Sequence, residues 1–133
     1  MAGFASQVKA WTDKSERRLE TAIRKIALDV FSRVIMRSPV DTGRFRGNWQ
    51  VEIGAVPFGA LDLHDKVGRA TINKVTAATL NLKAGQTIFL VNNLPYARRL
   101  EYGWSQQAPA GMVRVTVEEF KPIVDAVARE LNS

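Results

Sequence analysis

The fold is organised around residues 92–112, which read NNLPYARRLEYGWSQQAPAGM. This stretch combines three aromatic residues, an arginine pair, a glutamate, two prolines and two glycines, and it follows neither the helical nor the strand period. Pro95 can begin a short helical turn, and Gly103 is suited to end it. Such a composition indicates an ordered, shaped element rather than an ordinary surface loop.

Two sets of side chains are distinguished in and near this stretch. One set consists of large apolar or aromatic residues, expected to anchor the stretch to the core: Trp49, Tyr96, Leu100 and Trp104. The other set consists of charged and aromatic residues expected to face a partner, because arginine and tyrosine are enriched at protein interfaces: Arg44, Arg46, Arg98, Arg99, Glu101 and Tyr102.

Length and composition limit the possible classes of protein. A chain of 133 residues, 46% apolar, is one domain's worth and can bury a single core without metal or disulfide support. The absence of cysteine excludes disulfides, thiolate zinc sites and a cysteine nucleophile.

The start of the chain lacks a signal peptide pattern and no segment approaches membrane-spanning length, so we expect a soluble protein without membrane contacts. The formal charge of +6 suits phosphate backbones, anionic lipid or acidic protein surfaces, and charge alone does not choose among these.

The N-terminal third of the chain is predicted to be one long amphipathic helix. Apolar residues recur at steps of three and four between Phe4 and Met36. Residues 1–12 are either the first part of this helix or a separate arm that folds against a neighbour. The basic residues between the apolar positions favour a solvated face with local ion pairs over a nucleic-acid stripe.

The pattern after this helix predicts a small sheet and two further helices. Ser38 and Pro39 end the first helix. Alternation over residues 44–53 predicts a strand, and the β-branched run over residues 87–92 predicts a second strand that pairs with it. A loop is expected over residues 54–65, and a helix over residues 69–82.

The C-terminal part is predicted to be an amphipathic helix from Val113 to Leu131, in which Pro122 either kinks the helix or marks an irregular first part. Residues 112–116 could equally begin as a strand, since apolar and polar residues alternate there. The fold class is therefore α+β, with a small, mainly antiparallel sheet packed against the long N-terminal helix and the C-terminal helix. Residues 1–133 are expected to form one domain.

Catalytic chemistry is weakly represented in the sequence. His64, the only histidine, lies between Asp62 and Asp65, and these three residues are the best catalytic candidates. They have no adjacent serine or cysteine signature, and no second histidine could complete a metal site. We therefore expect no enzymatic activity, no metal and no cofactor.

Two motifs carry a resemblance to a known family. Residues 38–49 read SPVDTGRFRGNW, and they precede the NNLPYARRLEYGW segment at residues 92–104. In combination these motifs resemble the tail-completion and neck proteins of long-tailed bacteriophages, including the minor tail protein Z-like group. The similarity covers the order of elements from the first long helix to the last.

The resemblance implies a structural protein of the virion neck, assembled in the host cytoplasm. It implies copies of the chain in a ring, expected to be a hexamer, that joins the tail to the DNA-filled head. The implied neighbours are the tail terminator, the tail tube or the head connector, with DNA in the channel. No catalytic residue is implied.

Two alternatives come from the residues themselves. A nucleic-acid-binding module would use a set of basic side chains: Arg17, Arg18, Arg24, Lys25, Arg44 and Arg46. A small hydrolase would be built on His64, Asp62 and Asp65.

Overall fold

The computed structural model describes residues 2–132 and has the expected α+β fold. Six helices and two strands follow in the order α1 (Ala2–Arg37), α2 (Arg44–Gly47), β1 (Trp49–Ile53), α3 (Arg69–Thr79), β2 (Ile88–Asn92), α4 (Ala97–Glu101), α5 (Val113–Glu118) and α6 (Phe120–Asn132). Within the described range, no helix is both long enough and apolar enough to cross a membrane.

The long N-terminal helix is confirmed. Helix α1 has 36 residues, which corresponds to a length of about 54 Å. It ends at Arg37, directly before the Ser38-Pro39 pair, and only its C-terminal half packs against α3, α5 and α6. Residues 2–12 are helical and continuous with the rest of α1, and the side chains of residues 3–12 are exposed. That this segment folds against a neighbour stays a prediction.

The predicted strand pairing is confirmed, but the first strand is shorter than expected. Strands β1 and β2 are antiparallel, with Trp49 opposite Asn92 and Ile53 opposite Ile88. Residues 44–47 form the helical turn α2 instead of a strand. The cause lies in Gly43, whose φ of 87° directs the chain into a turn in which its carbonyl accepts the Gly47 amide.

Helix α3 is confirmed and ends three residues before the predicted boundary. A buried carboxylate fixes its start, because Asp65 accepts the backbone amides of Gly68 at 3.0 Å and Thr71 at 2.8 Å. The Thr71 hydroxyl donates to the same carboxylate at 2.8 Å. Residues 54–65 form a loop, as predicted.

The C-terminal part is helical from Val113, so the alternative of a strand at residues 112–116 is wrong. The predicted kink appears as a break at Glu119, which separates α5 from α6. Pro122 is the third residue of α6. Proline is tolerated there because amides in the first turn of a helix have no intrahelical partner.

The core lies where α1, β1, α3 and the 92–112 stretch meet. Its buried members are Val34, Ile35, Phe45, Trp49, Val75, Leu94, Ala108 and Met112. The Trp49 indole donates from Nε1 to the Ser38 hydroxyl at 2.7 Å, and that hydroxyl donates to the Val34 carbonyl. Because three members of the core belong to residues 92–112, this stretch is an integral part of the domain.

Candidate functional site

Residues 92–112 form an ordered loop built around the short helix α4. The side chain of Asn92 fixes its start by donating to the Phe45 carbonyl at 2.9 Å and accepting the Leu94 amide at 3.2 Å. The helical turn expected after Pro95 is confirmed as α4. Gly103, at φ 87°, ends it, and the Gly103 amide donates to the Leu100 carbonyl.

One carboxylate closes this loop. The Glu101 Oε1 atom accepts the backbone amides of Met112 at 3.0 Å and Val113 at 2.9 Å, and Oε2 accepts the Arg114 amide at 2.9 Å. Glu101 thus satisfies amides that α5 itself leaves unpaired at its N-terminus. Burial raises the pKa of Glu101, but these amides and the Arg114 side chain outweigh it and hold the pKa below its usual range.

Two glycines allow the loop to close this tightly. A Cβ atom at Gly103 would lie 2.5 Å from the Pro109 carbonyl oxygen, and one at Gly111 would lie 2.6 Å from Glu101 Oε2. Both glycines have positive φ, at 87° and 88°. Larger residues at either position would therefore force the loop apart.

The outer surface of the loop carries arginines stacked on aromatic rings. The Arg98 guanidinium lies 6.0 Å from the centre of the Tyr102 ring, and Arg99 lies 5.4 Å from that of Trp104. Tyr102 is 63% exposed and Trp104 is 74% exposed. We call Arg98, Arg99, Tyr102 and Trp104 the arginine–aromatic face. Its cations are held in place before any partner arrives.

One further residue of this region, Arg114, is not predicted from the sequence. The Arg114 guanidinium also lies over the Tyr102 ring, 4.6 Å from its centre, while its Nε lies 3.2 Å from Glu101 Oε2. The only signal in the sequence is a basic residue at the start of the final helix. That signal does not indicate a contact with residues 101 and 102, because the contact depends on how the loop closes.

The predicted core anchors divide into two groups. Trp49 is buried, and Leu100 is partly buried against the core. Tyr96 contacts the Phe45 ring at a centroid distance of 6.0 Å but is 37% exposed. The prediction that Trp104 anchors the core is wrong, because the chain reverses at Gly103 and directs the indole outward onto Arg99.

Two of the predicted interface residues are used inside the domain. Glu101 holds the loop, as described above. The Arg46 guanidinium donates to the carbonyls of Lys66 at 2.7 Å, Ser38 at 2.9 Å and Met36 at 3.0 Å, so it links the end of α1 to the loop before α3. The expectation that Arg46 faces outward is therefore corrected, whereas Arg44 is exposed.

The basic set of the nucleic-acid alternative does not form one surface. Arg24 donates to the Leu82 carbonyl at 2.8 Å, and Lys25 pairs with Glu130. Arg17 and Arg18 are exposed on the first half of α1, while Arg44 lies beyond its other end. The rise of a helix over the intervening residues places these exposed cations about 30 Å apart.

The catalytic candidates are also separated by the structure. His64 Nε2 lies 3.5 Å from Asp62 Oδ1, and the Asp62 side chain is almost fully exposed. Asp65 instead points toward the start of α3, where it is buried. Across residues 2–132, no group of three or more acidic or histidine side chains could hold a metal ion.

Comparison with known proteins gives one match. The model of the HK97-gp10-like family, described as "Bacteriophage HK97-gp10, putative tail-component", matches residues 2–103. This range runs from the start of α1 to the glycine that ends α4, and it includes both motifs up to that glycine. Neither the curated proteins nor the solved structures gave a match. The chain therefore belongs to the HK97-gp10-like family of bacteriophage tail components.

Proposed function

We propose that this tail component is a non-enzymatic structural protein of the virion neck. In this proposal, six copies form or complete a ring that joins the tail to the DNA-filled head. The arginine–aromatic face is the surface that contacts the neighbouring ring of tail terminator, tail tube or head connector proteins.

The observation that supports this proposal is the construction of the arginine–aromatic face. Two arginines and two large aromatic side chains are exposed together on a segment held by Glu101, by two glycines and by the core residues Leu94 and Met112. Arginine, tyrosine and tryptophan are the residue types that contribute most to binding at protein interfaces. A rigid support lowers the entropy lost when such a surface binds.

The charge of this face also favours an acidic partner. Arg98 and Arg99 are two of the basic residues behind the overall charge of +6, so an acidic surface on the next ring would be attracted to them. Each guanidinium stacks on a ring and still has free N–H donors, which suit the carboxylates of such a partner.

A double charge reversal tests the proposal. We expect Arg98→Glu with Arg99→Glu to give a folded chain that no longer supports head–tail joining, so that separate heads and tails accumulate in infected cells. The matched control is Lys83→Glu with Arg129→Glu, which changes the net charge by the same amount at exposed positions elsewhere. Electron microscopy of lysates measures head–tail joining, and circular dichroism of the purified chains shows whether they are folded.

Fully joined, infectious particles from the double Arg98 and Arg99 reversal would contradict the assigned contact surface. Loss of joining in the Lys83 and Arg129 control as well would show that total charge, and not this face, is responsible.

DNA in the channel is a further partner in this proposal. Arg17, Arg18 and Arg44 are exposed and could face it. Binding of this kind falls steeply with salt. A titration of the purified chain with duplex DNA at low salt should show measurable affinity that is lost as salt is added, and a flat titration would remove DNA from the partners.

A further inference from the structure

Phe58 is the large apolar residue that the described part of the chain leaves most exposed, at 93%. It lies in the loop of residues 54–65, directly after the partly buried Pro57. A single exposed apolar residue is common on protein surfaces and does not by itself indicate a contact. What distinguishes Phe58 is how firmly the backbone around it is held.

Two amide side chains fix the backbone on both sides of Phe58. Asn93 Nδ2 donates to the carbonyls of Pro57 and Gly59, each at 3.1 Å. Gln50 Nε2 donates to the Gly59 carbonyl at 2.7 Å. Gln50 belongs to β1 and Asn93 directly follows β2, so the sheet holds the loop at this point. The ring is therefore presented on a fixed support, which lowers the entropy lost when a partner buries it.

A hollow of about 270 Å³ lies between the two sequence motifs of the chain. Residues 39–45 form one wall, and four residues from the range 96–107 form the other. Gln107 joins the two walls, because its side-chain amide accepts the Val40 N–H at 2.8 Å and donates to the Val40 carbonyl at 3.1 Å. We call this space the motif hollow.

The motif hollow suits one aromatic side chain. Phe45 is buried and Leu100 is partly buried, so they form an apolar floor, whereas Asp41 and Thr42 are exposed at the rim. The Tyr96 ring lies beside Phe45, with 6.0 Å between the ring centroids. A cavity of about 150 Å³ is already large enough to bind benzene. A phenylalanine ring therefore fits here and can pack against two aromatic rings.

Phe58 does not fill the motif hollow of its own chain. None of residues 54–65 lines the hollow, and a side chain that is 93% exposed touches little of its own domain. Each copy of the chain therefore offers both an uncovered ring and an uncovered hollow of matching size and chemistry. An apolar group that matches a pocket elsewhere on the same molecule links copies through a heterologous contact.

The other strongly exposed rings are less suited to enter a hollow. Arginines lie over the rings of Tyr102 and Trp104. Phe4 and Trp11 lie on the first half of α1, which has no packing support. Among these rings, only Phe58 combines near-complete exposure with a backbone that is held in place.

We infer that Phe58 of one copy of this chain inserts into the motif hollow of the next copy. A heterologous contact of this kind generates a ring when the rotation closes. The inference rests on the proposed neck ring and deepens it, because it names a contact between ring neighbours. It leaves the arginine–aromatic face free for the neighbouring ring, since none of the four residues of that face lines the motif hollow.

A complementation experiment with two variants tests this contact. Phe58→Ala removes the ring and leaves the hollow open, whereas Ser105→Phe keeps the ring and places a large side chain in the wall of the hollow. Each variant alone lacks one half of the contact, but their mixture restores one complete contact. Thr42→Phe, in the opposite wall, is a second blocking variant in case Ser105→Phe does not fold. The matched control is Val67→Ala, which truncates another strongly exposed apolar side chain.

Amide spectra from nuclear magnetic resonance locate the contact when only one chain of a mixture is labelled with ¹⁵N. We expect labelled Phe58→Ala to shift at residues 39–45 and 96–107 when unlabelled Ser105→Phe is added. Labelled Ser105→Phe should shift at residues 57–60 when unlabelled Phe58→Ala is added. The parent chain and Val67→Ala should show both sets of shifts as their concentration rises, and each blocked variant alone should show neither.

Three results would overturn the inference. The first is the absence of these shifts from both labelled mixtures. The second is association of the Phe58→Ala chain alone to the same extent as the parent, which would mean that another surface joins the copies. The third is a change at residues 39–45 in dilute Phe58→Ala relative to dilute parent, which would place Phe58 in the hollow of its own chain.

Particle assembly separates this inference from the proposed function. The expected shifts, combined with normal head–tail joining in phage that carries Phe58→Ala, would keep the contact and reject its role in a neck ring. Absence of the shifts, combined with loss of joining in the double Arg98 and Arg99 reversal, would keep the proposed function and reject this contact.

Discussion

Glu101 Oε1 lies 3.0 Å from the backbone nitrogen of Met112, and this contact joins the end of α4 to the start of α5 across the loop of residues 102–112. The same carboxylate accepts two more amides, so a single side chain determines the shape of the segment that presents Tyr102 and Trp104. The stability of the loop and the geometry of the arginine–aromatic face should therefore change together.

Replacement of Glu101 tests this coupling. We expect Glu101→Ala to lower the free energy of unfolding by about 1–3 kcal/mol, because it leaves the partly buried Met112 amide and the amides of Val113 and Arg114 without their shared acceptor. Urea denaturation measures the loss, and limited proteolysis should show new cleavage between residues 103 and 111. Glu118→Ala, on the exposed side of α5, is the control and should leave both properties nearly unchanged. Unaltered stability in Glu101→Ala would show that water replaces the carboxylate.

Gly111 provides a test of loop closure that does not alter charge. A methyl group there would overlap the Glu101 carbonyl oxygen, in addition to the cost of positive φ. We expect Gly111→Ala to destabilise the chain clearly more than Gly85→Ala, which has a φ of 87° but no atom within 4 Å of its Cβ position. The difference between the two midpoints in thermal denaturation isolates the close approach. Equal midpoints would mean that the loop opens at no cost.

The buried Trp49 indole gives a test of the core. Its Nε1 donates to the Ser38 hydroxyl at 2.7 Å, and both residues are buried. Ser38→Ala should cost about 1–3 kcal/mol, since the indole N–H loses its partner inside the protein. Equilibrium unfolding followed by tryptophan fluorescence measures this cost. The double variant Ser38→Ala with Trp49→Phe should lose less free energy of unfolding than the sum of the losses in the two single variants. The reason is that both single variants remove the same hydrogen bond.

Asp65 distinguishes a structural from a catalytic reading of the His64 region. We expect Asp65→Ala to cost about 2–3 kcal/mol, because the amides of Gly68 and Thr71 and the Thr71 hydroxyl all donate to this carboxylate. His64→Ala should lie within about 0.5 kcal/mol of the parent chain, since His64 makes only an exposed contact with Asp62. Particle assembly with His64→Ala should be normal, and a defect there would revive the catalytic interpretation.

The acid limb of the stability curve should depend on Glu119. Its hydrogen bond to Arg37, with help from Arg33, lowers its pKa from 4.5 to about 2. A carboxylate whose pKa is lower in the folded chain stabilises it above the unfolded pKa, and this contribution is lost as pH falls from 4.5 toward 2. Urea midpoints measured over this range should fall for the parent chain and fall less for Glu119→Gln. An identical decline in Glu119→Gln would assign the acid sensitivity to other carboxylates.

The sequence predicts those parts of the fold that depend on local periodicity. The apolar spacing from Phe4 to Met36 is sufficient for α1, and the β-branched run before Asn92 is sufficient for β2. Residues 44–47 are an exception, because the alternation of Phe45, Gly47 and Trp49 predicts a strand but is also compatible with one helical turn. The positive φ of Gly43 and its hydrogen bond to Gly47 decide between the two, and neither is visible in a pattern of apolar residues.

The sequence predicts the residue types of the candidate site but not the directions in which their side chains point. That residues 98–104 combine arginines with aromatic side chains can be read directly from the sequence. Which of them point outward depends on contacts between distant segments, such as Arg114 with Tyr102 and Arg46 with the carbonyls of Met36, Ser38 and Lys66. Trp104 looks like a core residue by hydrophobicity, but the turn at Gly103 places it on the surface.

The unsupported first half of α1 has a consequence for backbone dynamics. A helix without tertiary contacts is only marginally stable in water, and residues 3–12 are exposed while the second half of α1 lies in the core. Amide hydrogens should therefore exchange rapidly near the N-terminus of the isolated chain and become progressively protected toward Val34 and Ile35. Assembly would remove this gradient if α1 gains a packing partner, so hydrogen exchange along one helix would follow the monomer's incorporation into a larger particle.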